Sequence, residues 1–234
     1  MITTVFFDLD GTLLPMEMEE FTNGYFKYLV KMAAPYGYEP DKLIKTVWGG
    51  TKAMVMNDGK ITNEEAFWKY FCSVYGEESF KDKEIFDKYY ATEFNKAKDF
   101  CGFNKEASET VEYVKNKGLR TVLATNPLFP EVATRARMDW AGIKPEDFEF
   151  FTTYENCNYC KPNTEYYKYL LEKTGVKPEE VLMVGNDATE DLVASKLGIS
   201  VFLITDCLIN KDNVDISTIP QGTFSDLRAY LDKN

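Results

Sequence analysis

The sequence predicts an α/β protein in which a doubly wound parallel sheet carries an inserted α-helical domain. Five short apolar runs, at residues 1–7, 119–124, 148–151, 181–184 and 199–204, have the pattern of strands buried on both faces. Helical patterns separate the later runs, and strands that alternate with helices form parallel βαβ units. The alternation is interrupted after the first run, which indicates an insertion at that point.

Three helices are predicted after residue 100. Apolar residues recur at helical spacing over 107–114 and 166–174, and a further helix is predicted over 189–197. Gly118 and Gly198 stand where the C-terminal caps of the first and third helices belong.

The interrupting segment, residues 15–100, is dense in aromatic residues and shows no alternation typical of strands. Thr62 and Glu65 have the spacing of a capping box, which marks the start of a helix. We therefore predict a helical cap domain over 15–100 and a core domain formed by residues 1–14 and 101–234.

Composition excludes several classes of function. The 38 acidic and 27 basic residues give a formal charge of −11, so nucleic acids and anionic membranes are not expected partners. The absence of histidine removes imidazole-dependent triads and the usual zinc hydrolase sites. Five cysteines without an export-like N-terminus, and without a long apolar run, predict a reduced cytoplasmic protein.

Polar side chains follow three of the predicted strands. Asp8 and Asp10 follow the first, Thr125 the second, and Asp187 and Asp191 the fourth. In an open parallel sheet, the carboxyl ends of the strands border the ligand crevice, so these groups should meet. Carboxylates brought this close repel one another unless a cation intervenes, and Mg²⁺ is the usual cation for oxygen ligands beside phosphate.

Two further features point to an anionic ligand. Gly11 allows a tight turn whose backbone N–H groups can face an anion. Lys161, which precedes Pro162 near a helix start, supplies a positive charge at the same edge of the sheet. Together with the carboxylates and the Thr125 hydroxyl, these groups describe a site for phosphoryl transfer.

Each motif also has a purely structural alternative. Asp8 and Asp10 can cap a turn, and Thr125 or Asn126 can cap a helix. Asp187 and Asp191 can favour a helix N-terminus, and Lys161 alone would be a surface lysine. Cys157 and Cys160 form a CxxC pair, but no second pair and no histidine complete a zinc site, so ordinary loop thiols are expected.

Four ordered motifs resemble those of the haloacid dehalogenase-like superfamily. They are the run from Asp8 to Leu14 (sequence DLDGTLL), Thr125-Asn126, Lys161-Pro162-Asn163, and Gly185-Asn186-Asp187 continuing to Asp191. The resemblance extends over the whole chain and implies a Rossmann-like core with a helical cap between the first and second motifs. Asn186 stands where family members often have an acid.

The resemblance implies a role for each matching residue. Asp8 is the expected nucleophile, Asp10 the general acid and base, and Thr125 and Lys161 bind and neutralise the phosphate. Gly11, Thr12 and Asn126 are expected at the phosphate as well. Mg²⁺ is expected on Asp8, the Asp10 carbonyl and Asp187, with Asp191 and Asn186 as second choices.

The implied function is Mg²⁺-dependent hydrolysis of small phosphate monoesters through an aspartyl-phosphate. A sugar phosphomutase with the same nucleophile is one alternative, and a non-catalytic phosphate-binding or regulatory protein is another. The second acid, Asp10, argues against the dehalogenase branch, which lacks an acid at that place.

Overall fold

The centre of the molecule is a six-stranded sheet in which every pair of neighbouring strands is parallel. The computed structural model describes all residues from 1 to 234. The strands are β1 (Thr4–Phe7), β2 (Arg120–Leu123), β3 (Phe150–Phe151), β4 (Val181–Gly185), β5 (Ser200–Ile204) and β6 (Gln221–Gly222), in the spatial order β3-β2-β1-β4-β5-β6. From β1, the chain first adds β2 and β3 on one side of the sheet and then adds β4, β5 and β6 on the other side. This order confirms the predicted doubly wound sheet.

Eight α-helices accompany the sheet. They are α1 (Met18–Ala33), α2 (Pro40–Val55), α3 (Asn63–Tyr75), α4 (Lys83–Ala91), α5 (Lys105–Asn116), α6 (Glu131–Trp140), α7 (Thr164–Thr174) and α8 (Phe224–Leu231). Of the three helices predicted after residue 100, α5 and α7 are present. The strand β6 and the helices α6 and α8 were not predicted. None of the helices combines the length and the apolar character needed to cross a membrane.

The helix predicted over 189–197 is wrong as an α-helix. The segment begins with turns and continues as a 3₁₀ helix at Leu192–Leu197. The Asp187 carboxylate accepts hydrogen bonds from the N–H groups of Thr189 and Glu190, which fixes the turn at this place. A local side-chain acceptor of this kind competes with the regular helical hydrogen bonds.

The register of the central strands brings their carboxyl ends level. Phe7 lies opposite Leu123 of β2 on one side and Val184 of β4 on the other. The next residues along each strand therefore emerge at one edge of the sheet, where Asp8 follows β1 directly. Side chains of β1 alternate between two hydrophobic clusters, with Val5 and Phe7 in one and Phe6 in the other.

The segment between β1 and α5 is helical, and it shares a hydrophobic core with the sheet. One cluster of 41 buried residues runs from β1 into α1, α2, α3 and α4. The predicted capping box is present at the start of α3, where Thr62 and Glu65 bind each other's backbone N–H. Because the core is continuous across residues 14 and 101, the division into core and cap domains stays a prediction.

The packing of α2 against α3 generates a stability prediction. A Cβ atom added at Gly50 would lie 2.5 Å from the Phe67 ring. We expect Gly50→Ala to lower the free energy of unfolding by about 1–2 kcal/mol, because overpacking outweighs the better helix propensity of alanine. Urea unfolding measures the change, with the exposed Lys45→Ala on the same helix as a control within about 0.5 kcal/mol of the parent. A variant at least as stable as the parent would contradict the prediction.

Candidate active site

Most of the residues predicted for the site line one cavity of about 320 Å³ at the carboxyl edge of the sheet. Among the lining residues are Asp8, Asp10, Thr125, Asn126, Asn186, Asp187 and Asp191. The exceptions are Gly11, Thr12 and Lys161, which lie behind the cavity wall. The expected convergence of separate chain segments is therefore present.

Lys161 is completely buried between two carboxylates. Its Nζ donates to Asp8 Oδ1 at 2.8 Å and to Asp191 Oδ1 at 2.7 Å. The lysine side chain has no exposed surface, and the two carboxylate side chains are at most 9% exposed. Burial alone would lower the pKa of Lys161, but the charges of Asp191 and Asp8 raise this pKa well above its ordinary value. Lys161 is thus a permanent cation behind Asp8, and the surface-lysine alternative is wrong.

The loop after β1 is held by side-chain contacts to the loop after β4. The Thr12 hydroxyl lies 3.1 Å from Asp8 Oδ2 and 3.0 Å from Asn186 Oδ1, and can donate to either oxygen. Gly11 has a φ of +82°, and a Cβ there would lie 2.3 Å from Asn186 Nδ2. Glycine is therefore required at residue 11 by both conformation and space.

Two of the backbone N–H groups in this loop, those of Gly11 and Thr12, are already bound within the protein. The N–H of Gly11 donates to the Leu14 carbonyl at 2.8 Å, and the N–H of Thr12 donates to the Leu9 carbonyl at 3.2 Å. Gly11 and Thr12 thus use these donors to close the turn and do not offer them to an anion. The turn-capping alternative for Asp8 and Asp10 is wrong, because neither carboxylate accepts a backbone N–H.

The loop after β2 presents an unpaired hydroxyl. Thr125 lines the cavity and is 1% exposed, and its buried Oγ1 has no hydrogen-bond partner. Asn126 bridges two segments, since its Nδ2 donates to Glu190 at 3.0 Å and its Oδ1 accepts the N–H of Lys161 at 3.2 Å. Neither residue caps a helix, because α6 begins at Glu131 with Pro130 before it. The helix-cap alternative is wrong.

Asp10 is held by a cation that sequence reasoning missed. Arg137, on α6, is completely buried, and its Nη1 donates to Asp10 Oδ2. Burial raises the pKa of Asp10, and the Arg137 charge opposes that rise. The Asp10 Oδ1 atom is buried without a partner. The sequence signal that could have revealed Arg137 is a basic residue on the buried face of α6, which also carries Ala133 and Met138.

The two aspartates that follow β4 differ in their hydrogen bonds: Asp191 has both oxygens bound, and Asp187 has one oxygen free. Asp191 is fully engaged, with Oδ1 on Lys161 and Oδ2 accepting the N–H groups of Asn186 and Asp187 at 3.0 Å each. A Cβ at Gly185 would lie 2.0 Å from this Oδ2, so glycine makes room for it. Asp187 uses Oδ1 for the local turn and leaves Oδ2 unbound.

Negative charge is in excess around the cavity. Asp8, Asp10, Asp187, Asp191 and Glu190 line the cavity, whereas its cations are Lys161 and Arg137 behind the wall and the exposed Lys211. Burial raises the pKa of Asp8 to about 7, with Lys161 lowering it and Asp191 raising it. Burial also raises the pKa of Glu190 to about 8. Glu190 has no role among the residues predicted from the sequence.

This donor set fits a hard divalent cation. Asp8, Asn186 and Asp187 provide the oxygen atoms that Mg²⁺ prefers, and the excess of carboxylates would be relieved by two positive charges. No three acidic or thiol side chains converge on a point by themselves, so an ion here also needs carbonyl, amide or water oxygens. Of the two acids considered, Asp187 has the free oxygen and Asp191 does not.

Cys157 and Cys160 lie in the loop that leads to Lys161, and both are buried free thiols. Burial raises the pKa of Cys157 to about 12 and raises that of Cys160 as well. Cys160 Sγ lies 3.3 Å from Asn63 Nδ2, which joins α3 to this loop. Both thiols are therefore protonated at neutral pH and serve packing.

Comparison with known proteins identifies two curated relatives. The chain is 26% identical over 212 residues to bifunctional epoxide hydrolase 2 of Sus scrofa, covering 86% of this chain and 36% of that protein. The chain thus spans about a third of the length of that relative. It is 23% identical over 249 residues to glyceraldehyde 3-phosphate phosphatase of Methanothermobacter thermautotrophicus, covering 94% of this chain and 96% of that protein.

A solved structure shares the fold. The crystal structure of a haloacid dehalogenase-type phosphatase from Thermococcus onnurineus superimposes with a TM-score of 0.60 at 19% identity, covering 98% of each chain. The sequence profile described as "haloacid dehalogenase-like hydrolase" matches residues 2–197. With that match over most of its length, this chain belongs to the haloacid dehalogenase-like hydrolase family.

Proposed function

We propose that the protein hydrolyses small phosphate monoesters in a Mg²⁺-dependent reaction that passes through an aspartyl-phosphate on Asp8. One observation carries the proposal. Two buried polar atoms without a partner, Asp10 Oδ1 and Thr125 Oγ1, belong to residues that line the same cavity as Asp8. Unpaired buried polar groups are costly, and an oxygen-rich ligand between them would satisfy both.

In the first step, an Asp8 carboxylate oxygen attacks phosphorus and the ester oxygen departs on the opposite side. Lys161 supports this attack, because its charge lowers the pKa of the Asp8 carboxylate against the rise that burial causes. The Thr125 hydroxyl and the backbone N–H of Asn126 donate to phosphoryl oxygens. That N–H has no acceptor within the protein.

Asp10 handles the proton in both steps. Its unpaired Oδ1 gives a proton to the departing alcohol and later takes one from the water that attacks the aspartyl-phosphate. Arg137 holds the other oxygen and fixes the direction in which Oδ1 points. A guanidinium suits this task because its donors form a rigid planar fork.

Asp8, the Asp10 carbonyl and Asp187 would hold the Mg²⁺, and Asn186 would be a neighbouring oxygen. A bound divalent ion would neutralise the phosphate charge and the surplus of carboxylates. The phosphatase relative from Methanothermobacter thermautotrophicus, which aligns over nearly its full length, supports the choice of a phosphate ester as substrate.

The direct test is a panel of phosphate monoesters with and without Mg²⁺, with released phosphate as the readout. We expect phosphate release that requires the metal and ceases on chelation. A hexose 1-phosphate in the panel separates hydrolysis from isomer formation. Isomer without phosphate would indicate a phosphomutase, and no turnover of any ester would indicate a non-catalytic protein.

The nucleophile assignment predicts the behaviour of Asp8→Asn. We expect turnover to fall roughly 10⁴-fold or more, because a neutral amide cannot form the covalent intermediate. The fold should survive, since the amide oxygen can still accept from Lys161. Circular dichroism and thermal unfolding check the fold, and the exposed Asp99→Asn is the matched control. Hydrolysis retained in Asp8→Asn would remove Asp8 from its proposed role.

The buried cation predicts a combined loss in Lys161→Met. Two buried carboxylates would lose their counter-charge, so the free energy of unfolding should fall by about 3–5 kcal/mol and turnover by roughly 10²–10³-fold. Lys168→Met removes the half-exposed partner of Glu165 and should cost at most about 1 kcal/mol. Equal stabilities of the two variants in denaturant unfolding would be incompatible with the Lys161 assignment.

A further inference from the structure

The part of the cavity that faces away from Asp8 has a wall without charge. Helices α1, α2, α3 and α4 contribute ten side chains to the lining, and none of them is charged. Phe21, Phe26, Trp48 and Phe67 are the large apolar members of this set. A leaving group attached to the phosphate would extend toward this wall, because the carboxylates and Thr125 come from the strand ends and the wall comes from the helices between β1 and α5.

The few hydroxyl groups on the wall are mostly engaged. Tyr25 and Tyr90 lie with their hydroxyl oxygens 2.9 Å apart and bind each other, and burial raises the pKa of Tyr90 to about 12. The Thr51 hydroxyl donates to the Val47 carbonyl at 3.0 Å. Only Thr22 has a hydroxyl without a protein partner. A sugar, with several hydroxyl groups to satisfy, would leave most of them unpaired against this wall.

A negatively charged leaving group would find no counter-charge on this wall. The wall holds no lysine or arginine, and the one exposed cation at the cavity, Lys211, belongs to the segment after β5. That segment runs beside the acids, since Ile209 pairs with Asp187 through the backbone. A carboxylate on the leaving group would therefore lie against aromatic rings without a counter-charge.

We infer that the leaving group of the physiological substrate is an uncharged, mainly apolar alcohol, of alkyl or arylalkyl type, which packs against Trp48, Phe26 and Phe67. This inference rests on the proposed phosphatase function and adds the substrate class. A volume of about 320 Å³ is at the small end for ligand sites, so the alcohol is of the size of one ring or a short chain. Trp48, which is 51% exposed, stands where such a group can enter.

The test compares primary esters whose leaving groups have similar intrinsic reactivity. Ethyl, butyl, hexyl and 2-phenylethyl phosphate form the apolar series, and glucose 6-phosphate and 2-phosphoglycolate are the polar and charged members. We expect kcat/KM to rise about three- to fourfold with each added methylene until the cavity is filled. Both polar esters should fall below butyl phosphate.

Two variants test whether Trp48 causes the preference for longer alkyl chains. Trp48→Ala should lower the hexyl-to-ethyl ratio of kcat/KM about tenfold, because the ring no longer covers the chain. Phe80→Ala is the control, since Phe80 is 55% exposed, also contacts one aromatic ring, and does not line the cavity. Its ratio should equal that of the parent.

The outcomes separate this inference from the function on which it rests. Faster turnover of glucose 6-phosphate or 2-phosphoglycolate than of hexyl phosphate would overturn the apolar assignment and leave the phosphatase standing. An unchanged hexyl-to-ethyl ratio in Trp48→Ala would also overturn it. No Mg²⁺-dependent turnover of any ester would overturn the proposed function and this inference together.

Discussion

The contact on which the site depends is the buried ammonium group of Lys161 between Asp8 and Asp191. Three chain segments, after β1, before α7 and after β4, meet at this one charge. Two carboxylates buried this close without a cation would repel, and one would take up a proton. The lysine reduces that repulsion and lowers the pKa of Asp8 against the rise that burial causes. Burying such ions costs free energy, which the large apolar core offsets.

Asp10 has a cation of its own, and the difference between the two cations has a chemical consequence. Lys161 spans two acids as a compact charge, whereas Arg137 contacts one oxygen of Asp10 and also lies 4.4 Å from the Phe129 ring centre. The guanidinium binds Oδ2 and leaves Asp10 Oδ1 without a partner. The loop after β1 thus presents one carboxylate with a neutralised charge and one with a directed free oxygen, which suits a nucleophile beside a proton carrier.

The cavity combines two surfaces with opposite chemistry. The strand ends supply a polar floor rich in carboxylates, and the inserted helices supply an aromatic wall without charge. The two surfaces are held together by the continuous hydrophobic core and by backbone hydrogen bonds from α3 to the loop near Lys161, such as Asn63 N–H to the Cys157 carbonyl at 2.9 Å. The position of the wall over the floor is therefore a property of packing between segments distant in sequence.

Local patterns in the sequence were sufficient for much of the fold and for the polar floor. Buried parallel strands have continuous apolar runs, and the residues that follow β1, β2 and β4 must emerge at one edge, so the meeting of Asp8, Thr125 and Asp187 follows from strand order. The strand β6 is only two residues long and carries no periodic pattern. The helices α6 and α8 were missed, although α8 begins with a capping box at Thr223 and carries an apolar row at Phe224, Leu227 and Leu231. The pairing of Arg137 with Asp10, the use of Gly11 and Thr12 to close a turn, and the binding of both Asp191 oxygens within the protein were decided only by the tertiary structure. Each of these features depends on which polar atoms are already hydrogen-bonded. The bonding partners lie in other segments of the chain, and the order of residues along the chain does not specify how closely those segments approach.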